Sequence, residues 1–176
     1  MKRLLTVVVA LFVFAALTGT ALAQRNPRAT SRLTLRGKTI SVEYGRPSLK
    51  GRSVQQLLDQ LKPGDVWRLG ADRSTTFSTD TDLVFGSVTV PKGTYSLWAR
   101  KEAGDSWQLV FNKQHGQWGT EYDAAQDLVA VPFAERETKV PKAAEMLTLA
   151  LAKAKGGGVL TLQWGDMKLS ANFTAK

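Results

Sequence analysis

The 176-residue chain carries 24 Lys plus Arg against 15 Asp plus Glu, a formal charge of +9, with 43% apolar and 9% aromatic residues. That composition can bury a core and rules out wholesale disorder, and the length suits one domain. No cysteine and a single histidine, His115, exclude a disulfide scaffold, thiolate zinc or iron–sulfur sites, a cysteine nucleophile and any polyhistidine metal centre within one chain.

The chain opens with Lys2 and Arg3, an apolar run from Leu4 to Leu17, and the small residues Ala21-Leu22-Ala23. Basic, apolar and small-residue regions in that order predict a secretory signal peptide over residues 1–23, cut before Gln24. The other reading is an uncleaved anchor, because Leu4 to Ala23 reaches the roughly 20 residues that span a bilayer. The Thr18-Gly19-Thr20 break and the Ala-x-Ala end favour cleavage, and lipoprotein attachment would need a cysteine. The expected location is periplasmic or secreted, with no stable membrane anchor after the cut. A chain so processed has 22 basic and 15 acidic residues, or +7.

A polar lead over residues 24–30 precedes a single β domain expected over residues 31–176. Arg32 to Leu35 and the alternating Ile40, Val42 and Tyr44 predict a hairpin turning at Arg36-Gly37. Ser53 as N-cap, Val54, Leu57, Leu58 and Leu61 on one face, and Lys62-Pro63-Gly64 as the stop predict one short helix over about residues 53–61. Strands are then expected at Val66 to Leu69, Thr75 to Thr79, Leu83 to Val90 and Thr94 to Arg100, the last entered through the Pro91-Lys92-Gly93 turn. Trp107 to Phe111 follows, then a polar and aromatic loop from Asn112 to Tyr122, then a strand from Asp127 to Phe133.

Lys142 to Lys155 has helix-favouring composition, yet Leu147, Leu149 and Leu151 alternate with Met146, Thr148 and Ala150, which predicts a strand over Glu145 to Ala152. Leu160, Leu162 and Trp164 alternate again, and Gly165-Asp166 suits a two-residue hairpin into Met167 to Phe173. About ten short strands and one helix predict a mainly β fold, a single antiparallel β-sandwich or jelly-roll-like barrel.

Four stretches carry a resemblance. They are Val42-Glu43-Tyr44-Gly45-Arg46-Pro47-Ser48-Leu49-Lys50-Gly51-Arg52, Gly64-Asp65-Val66-Trp67-Arg68-Leu69-Gly70-Ala71-Asp72, Pro91-Lys92-Gly93-Thr94-Tyr95-Ser96-Leu97, and Phe111-Asn112-Lys113 with Gln117-Trp118-Gly119. Together they resemble the bacterial family called domain of unknown function 2911, from about Ser31 to Phe173. The resemblance implies an exported, compact, mainly β domain without an established activity. Asp72-Arg73 depart from its pattern, which has an amide followed by a carboxylate there.

The positive excess lies between Arg25 and Arg73, with eleven basic residues against four acidic ones; from Ser74 onward the two are equal at eleven each. Gathered on one face, those cations would attract anions; spread out, they form a solvated basic surface. Arg46, Arg52 and Arg68 are the candidate anion clamp, because guanidinium forks match carboxylate and phosphate. Asp72 would orient one of them, or pair structurally with Arg68. Asn112, Trp118 and Tyr122, with His115 and Gln117, combine flat apolar faces with amides suited to sugars. Trp67, Trp98, Trp107 and Trp164 read as core.

Catalytic signals are thin: no Gly-x-Ser-x-Gly elbow and no EF-hand-like loop occur, and Asp80 and Asp82 read as turn residues. No catalytic residue, metal site or cofactor is assigned. The expectation is a non-catalytic binding module for an anionic small molecule or envelope glycan, with nucleic acid a poor partner for an exported chain. The alternatives are an envelope carbohydrate hydrolase using paired carboxylates, such as Glu43 with Asp72 or Asp123, and a protein-interaction module with no small ligand.

Overall fold

A computed structural model describes residues 26–104, 106–133, 135–137 and 140–176. The expected export leader lies outside them. The fold is a β-sandwich of two antiparallel sheets with one short helix. In the first sheet the order is β1 (Arg28–Leu35), β2 (Lys38–Gly45), β4 (Thr75–Thr79), β7 (Gly93–Lys101), β8 (Trp107–Asn112) and β9 (Asp127–Pro132), with β3 (Val66–Arg68) also on β7. β4 pairs with residues 93–97 of β7 and β3 with residues 98–100, so the two short strands lie end to end along one edge. The second sheet runs β11 (Ala144–Ala154), β12 (Gly157–Gly165), β13 (Met167–Ala175), β5 (Leu83–Phe85) and β6 (Val88–Val90), with β10 (Glu135–Glu137) also on β13.

Period-two alternation explains the core. Ile40, Val42, Phe77, Leu97, Leu109 and Phe111 point inward from the first sheet, and Leu147, Leu149, Leu160, Leu162, Leu169 and Phe173 meet them from the second. Each such side chain contributes about 1.5–3 kcal/mol on burial. Phe77, Phe85 and Phe173 join through Phe111 and one another, with ring centroids 5.2 to 5.4 Å apart.

Turn chemistry sets the registers. Arg36 and Gly37 both take positive φ (49° and 74°), the pair of angles a type I′ hairpin requires between Leu35 and Lys38. Gly165 alone is positive in the Gly165-Asp166 turn, as a II′ turn demands. Lys142 to Lys155 contains the strand the leucine alternation predicts rather than a helix, because each inward leucine gains a partner across the sandwich.

Several expectations need correction. Residues 28–30, read as part of the polar lead, belong to β1, where Arg28 pairs with Gly45 in register and its Nε meets Glu43 at 2.8 Å. The single strand expected over Leu83 to Val90 is two three-residue strands around Gly86, whose φ of 59° reverses the chain. The helix α1 spans only Val54–Leu58. Its start is as expected, with Ser53 and Gln56 forming a reciprocal capping box. It ends early because Lys101 Nζ draws the carbonyls of Leu58 (3.3 Å) and Leu61 (2.8 Å), while Lys62 N–H turns onto Asp65 Oδ2 at 2.7 Å. β10 was not anticipated, since its residues are all charged.

Candidate functional site

After β2 the chain leaves the first sheet and crosses to the edge of the second. Leu147 N–H donates to Pro47 O and Leu49 N–H to Glu145 O, each at 3.0 Å, so residues 47–49 pair with β11. Arg46 secures this crossing: its Nε donates to Leu147 O and its Nη2 to Thr148 Oγ1, each at 3.3 Å. The Glu145 carboxylate then accepts from the Ser48 hydroxyl and from Lys50 N–H. These bonds hold the Glu145 carboxyl below its ordinary range, the Ser48 hydroxyl contributing most.

A group whose folded pKa is depressed stabilises the fold above its unfolded value, and that contribution disappears as pH falls through the folded value. The Ser48–Lys50 tether is therefore intact at neutral pH and loosens in acid. A side-chain carbon NMR titration is expected to place Glu145 below the usual glutamate midpoint of about 4.3, and Ser48→Ala to raise that midpoint. An unchanged midpoint in the variant would show that the hydroxyl does not hold it.

Between this crossing, α1 and β3 lies a cleft of about 410 Å³. Its polar wall is Asn26, Ser48, Lys50, Arg52 and Arg68, its apolar wall includes Trp67, Leu57 and Trp164, and none of the described residues that line it is acidic. Arg52 Nε donates to Leu49 O at 2.9 Å and its Nη2 to Ser48 O at 3.3 Å, which fixes the guanidinium and leaves three of its five N–H donors for other partners. The Arg68 side chain has no hydrogen-bond or ion-pair partner among the described residues. Lys50 has a φ of +50°, a left-handed conformation that residues with a Cβ enter at a cost.

The floor of this cleft is unusually close-packed. A Cβ on Gly45 would lie 2.1 Å from Ala71 O, and one on Gly70 would lie 2.8 Å from Thr75 Oγ1, so glycine is needed where these backbones pass. Trp67 stacks on Trp164 with centroids 5.9 Å apart and planes 9° from parallel, and meets Trp107 edge-on at 6.0 Å. The Nε1–H groups of Trp107 and Trp164 are both buried with no acceptor among the described residues.

Across β3 a second cleft of about 510 Å³ shares Trp67 and Arg68 with the first. Its further wall is Trp98, Gly119, Thr120 and Tyr122, and Asp65 is its acidic residue. Residues 113–126 close over the outer face of the first sheet here, stitched to the β3–β4 loop by Ser74 N–H to Gln117 O (2.9 Å) and Gly119 N–H to Asp72 O (2.8 Å). Asp127 anchors this cover from β9. Its Oδ2 accepts from Tyr122 Oη at 2.6 Å and Arg100 Nη2 at 2.7 Å, and its Oδ1 accepts from Asn112 Nδ2 at 2.8 Å. Burial, with donation to Asp127, raises the Tyr122 phenol above its ordinary pKa against the opposing pull of Arg100.

The structure thus brings Arg52 and Arg68 to one cleft and Tyr122 with Arg68 to the other. It does not bring Arg46 there, because that guanidinium is committed to β11. Asp72 forms no pair with Arg68. Its φ is +63°, tolerated by Asp, and its Oδ2 accepts from Asn26 N–H at 2.9 Å beside the first cleft. Asn112 is fully buried as a hydrogen-bond hub, with Oδ1 accepting from Gln114 N–H and Nδ2 donating to Asp123 O as well as to Asp127. Trp118 is 45% exposed at the edge of the cover and lines neither cleft. The reading of Trp67 and Trp164 as core holds, with Trp164 buried and Trp67 packed against the core cluster; that both also border the first cleft was not legible in the sequence. No group of three or more His, Cys, Asp or Glu side chains gathers for a metal among the described residues.

The family described as protein of unknown function (DUF2911) matches residues 26–173. The chain belongs to the DUF2911 family. The two clefts of this DUF2911 chain that share Trp67 and Arg68 lie within the matched region. No curated protein and no solved structure matches it.

Proposed function

We propose that this DUF2911 protein is an exported, non-catalytic binding domain whose cation-lined cleft takes a small anion or an acidic group of an envelope glycan. The observation that carries this reading is the meeting of Lys50, Arg52 and Arg68 around about 410 Å³ of space, with no acidic residue among the described residues of its lining. Charge-assisted hydrogen bonds from guanidinium forks are about twice as strong as neutral ones, and Arg52 is already oriented for them by Leu49 O and Ser48 O. The indoles of Trp67 and Trp164 supply an apolar wall. Export rests on the basic, apolar and small-residue order of residues 1–23.

Thermal-shift and calorimetric titrations with galacturonate, citrate and inorganic phosphate test this. At least one probe is expected to raise the melting temperature. Arg52→Ala and Arg68→Ala should each weaken that probe roughly tenfold, equivalent to about 1.4 kcal/mol. Arg46→Ala should lower stability through its lost bonds to β11 and leave affinity unchanged. The proposal fails if no probe shifts the melting curve, or if a probe that does is indifferent to Arg52 and Arg68.

A further inference from the structure

Resting on that reading, we infer that the cation-lined cleft is one half of a two-part site, and that the ligand is an acidic oligosaccharide lying across β3 with at least one unit in each cleft. Two observations carry this. The clefts, of about 410 and 510 Å³, share Trp67 and Arg68, so one residue pair forms a wall of both. The Arg68 side chain also reaches into the second cleft: a Cβ on Gly119 would come within 3.0 Å of Arg68 Cδ and 2.8 Å of Asp72 O, so the buried glycine makes the room in which Arg68 lies. An arginine whose side chain has no partner among the described residues, placed between two hollows, can serve acidic groups on successive units of one chain.

The second cleft differs in chemistry from the first. The half-buried Tyr122 ring, backed by the buried Trp98 at a centroid distance of 4.9 Å, and the exposed Thr120 hydroxyl offer apolar and hydrogen-bonding surface, while Asp65 offsets the positive charge. That mixture suits the body of a sugar ring, and the first cleft suits its acid group. A peptide added as a further strand would need a row of strand-edge hydrogen-bonding groups, and β3 is only three residues long. The glycan is therefore the better occupant.

Calorimetry with galacturonate, digalacturonate, tetragalacturonate and tetraglutamate tests the inference on the full processed chain. Tetragalacturonate is expected to bind at least about tenfold more tightly than the monomer, because the second contact is intramolecular. Thr120→Trp, at an exposed position of the second cleft, should abolish that gain. Asp65→Asn, which keeps an oxygen for Lys62 N–H, should strengthen the tetramer without altering the monomer. Equal affinity at every length overturns the two-part site and leaves the anion cleft standing. Tighter binding of tetraglutamate than of tetragalacturonate overturns the glycan assignment in favour of a peptide. Failure of all anions, phosphate and citrate included, overturns the underlying reading as well.

Discussion

Gly45→Ala is expected to destabilise the protein by roughly 3 kcal/mol, the upper end for an overpacked interior site. The added methyl would meet three backbone atoms of Ala71, at 2.1, 2.9 and 3.0 Å, and none is the end of a flexible side chain. Ala71 has little freedom to retreat, since the loop beside it is pinned by the Thr75 hydroxyl donating to Leu69 O at 2.6 Å. At about 2–4 °C per kcal/mol for a domain of this size, the melting temperature should fall by about 6–12 °C. Gly86→Ala is the control. No atom lies within 4 Å of its Cβ position, so only the positive φ of 59° counts, worth about 1–2 kcal/mol. Urea unfolding of the two variants separates steric from conformational cost. Equal stability of Gly45→Ala and the wild type would show that the cleft floor yields, and with it the rigid placement of Lys50 and Arg68.

Asp127→Ala should produce the second large effect, and one confined to a definite region. Two oxygens on a side chain only 18% exposed satisfy Arg100, Tyr122 and Asn112, and alanine leaves all three donors without that acceptor. Losing an acceptor for partly buried donors costs about 1–3 kcal/mol, and three sharing one carboxylate place the loss near the top of that range. Asp127→Asn retains one acceptor oxygen and should cost about half as much. Hydrogen exchange is the discriminating readout: amides of residues 113–126 should lose protection in Asp127→Ala while those of β11 to β13 keep theirs. Uniform loss through both sheets would mean that Asp127 supports the whole sandwich rather than the cover carrying Gly119, Thr120 and Tyr122. Because those residues wall the second cleft, the variant should also lose the preference for longer acidic oligosaccharides.

Local physics was readable wherever it depended on neighbours in the chain. The alternation at Ile40, Val42 and Tyr44, the Ser53 cap, the Arg36-Gly37 turn and the leucine pattern at 147, 149 and 151 all involve partners within a few residues, and each has its counterpart in the structure. The site is built differently. Arg46 reaches a carbonyl 101 residues away and Lys50 N–H a carboxylate 95 residues away, so nothing near Arg46 in the chain distinguished it from Arg52 as a free guanidinium. Trp67 and Trp164 sit in strands and alternate like core residues, which they are, and only their position at the end of the sandwich makes them border a cleft as well. Asn112 resembled a sugar-binding amide because its type and loop-edge position suited one. Its complete burial follows from the Asp127 anchor, which closes the cover over it. Glycine carried the one signal that was present and passed over: Gly45, Gly70 and Gly119 mark close backbone or side-chain approaches around the two clefts.

Asn26 lines the first cleft, with its backbone N–H held by Asp72. At the far end of the strands, Ala175 shares a hollow with Arg36 and Gly156, and Lys176 N–H is tied to Asp82 O at 3.0 Å. Purification handles or immobilising linkers therefore belong on the carboxyl side. On the amino side they would stand beside the cleft that Asn26 lines.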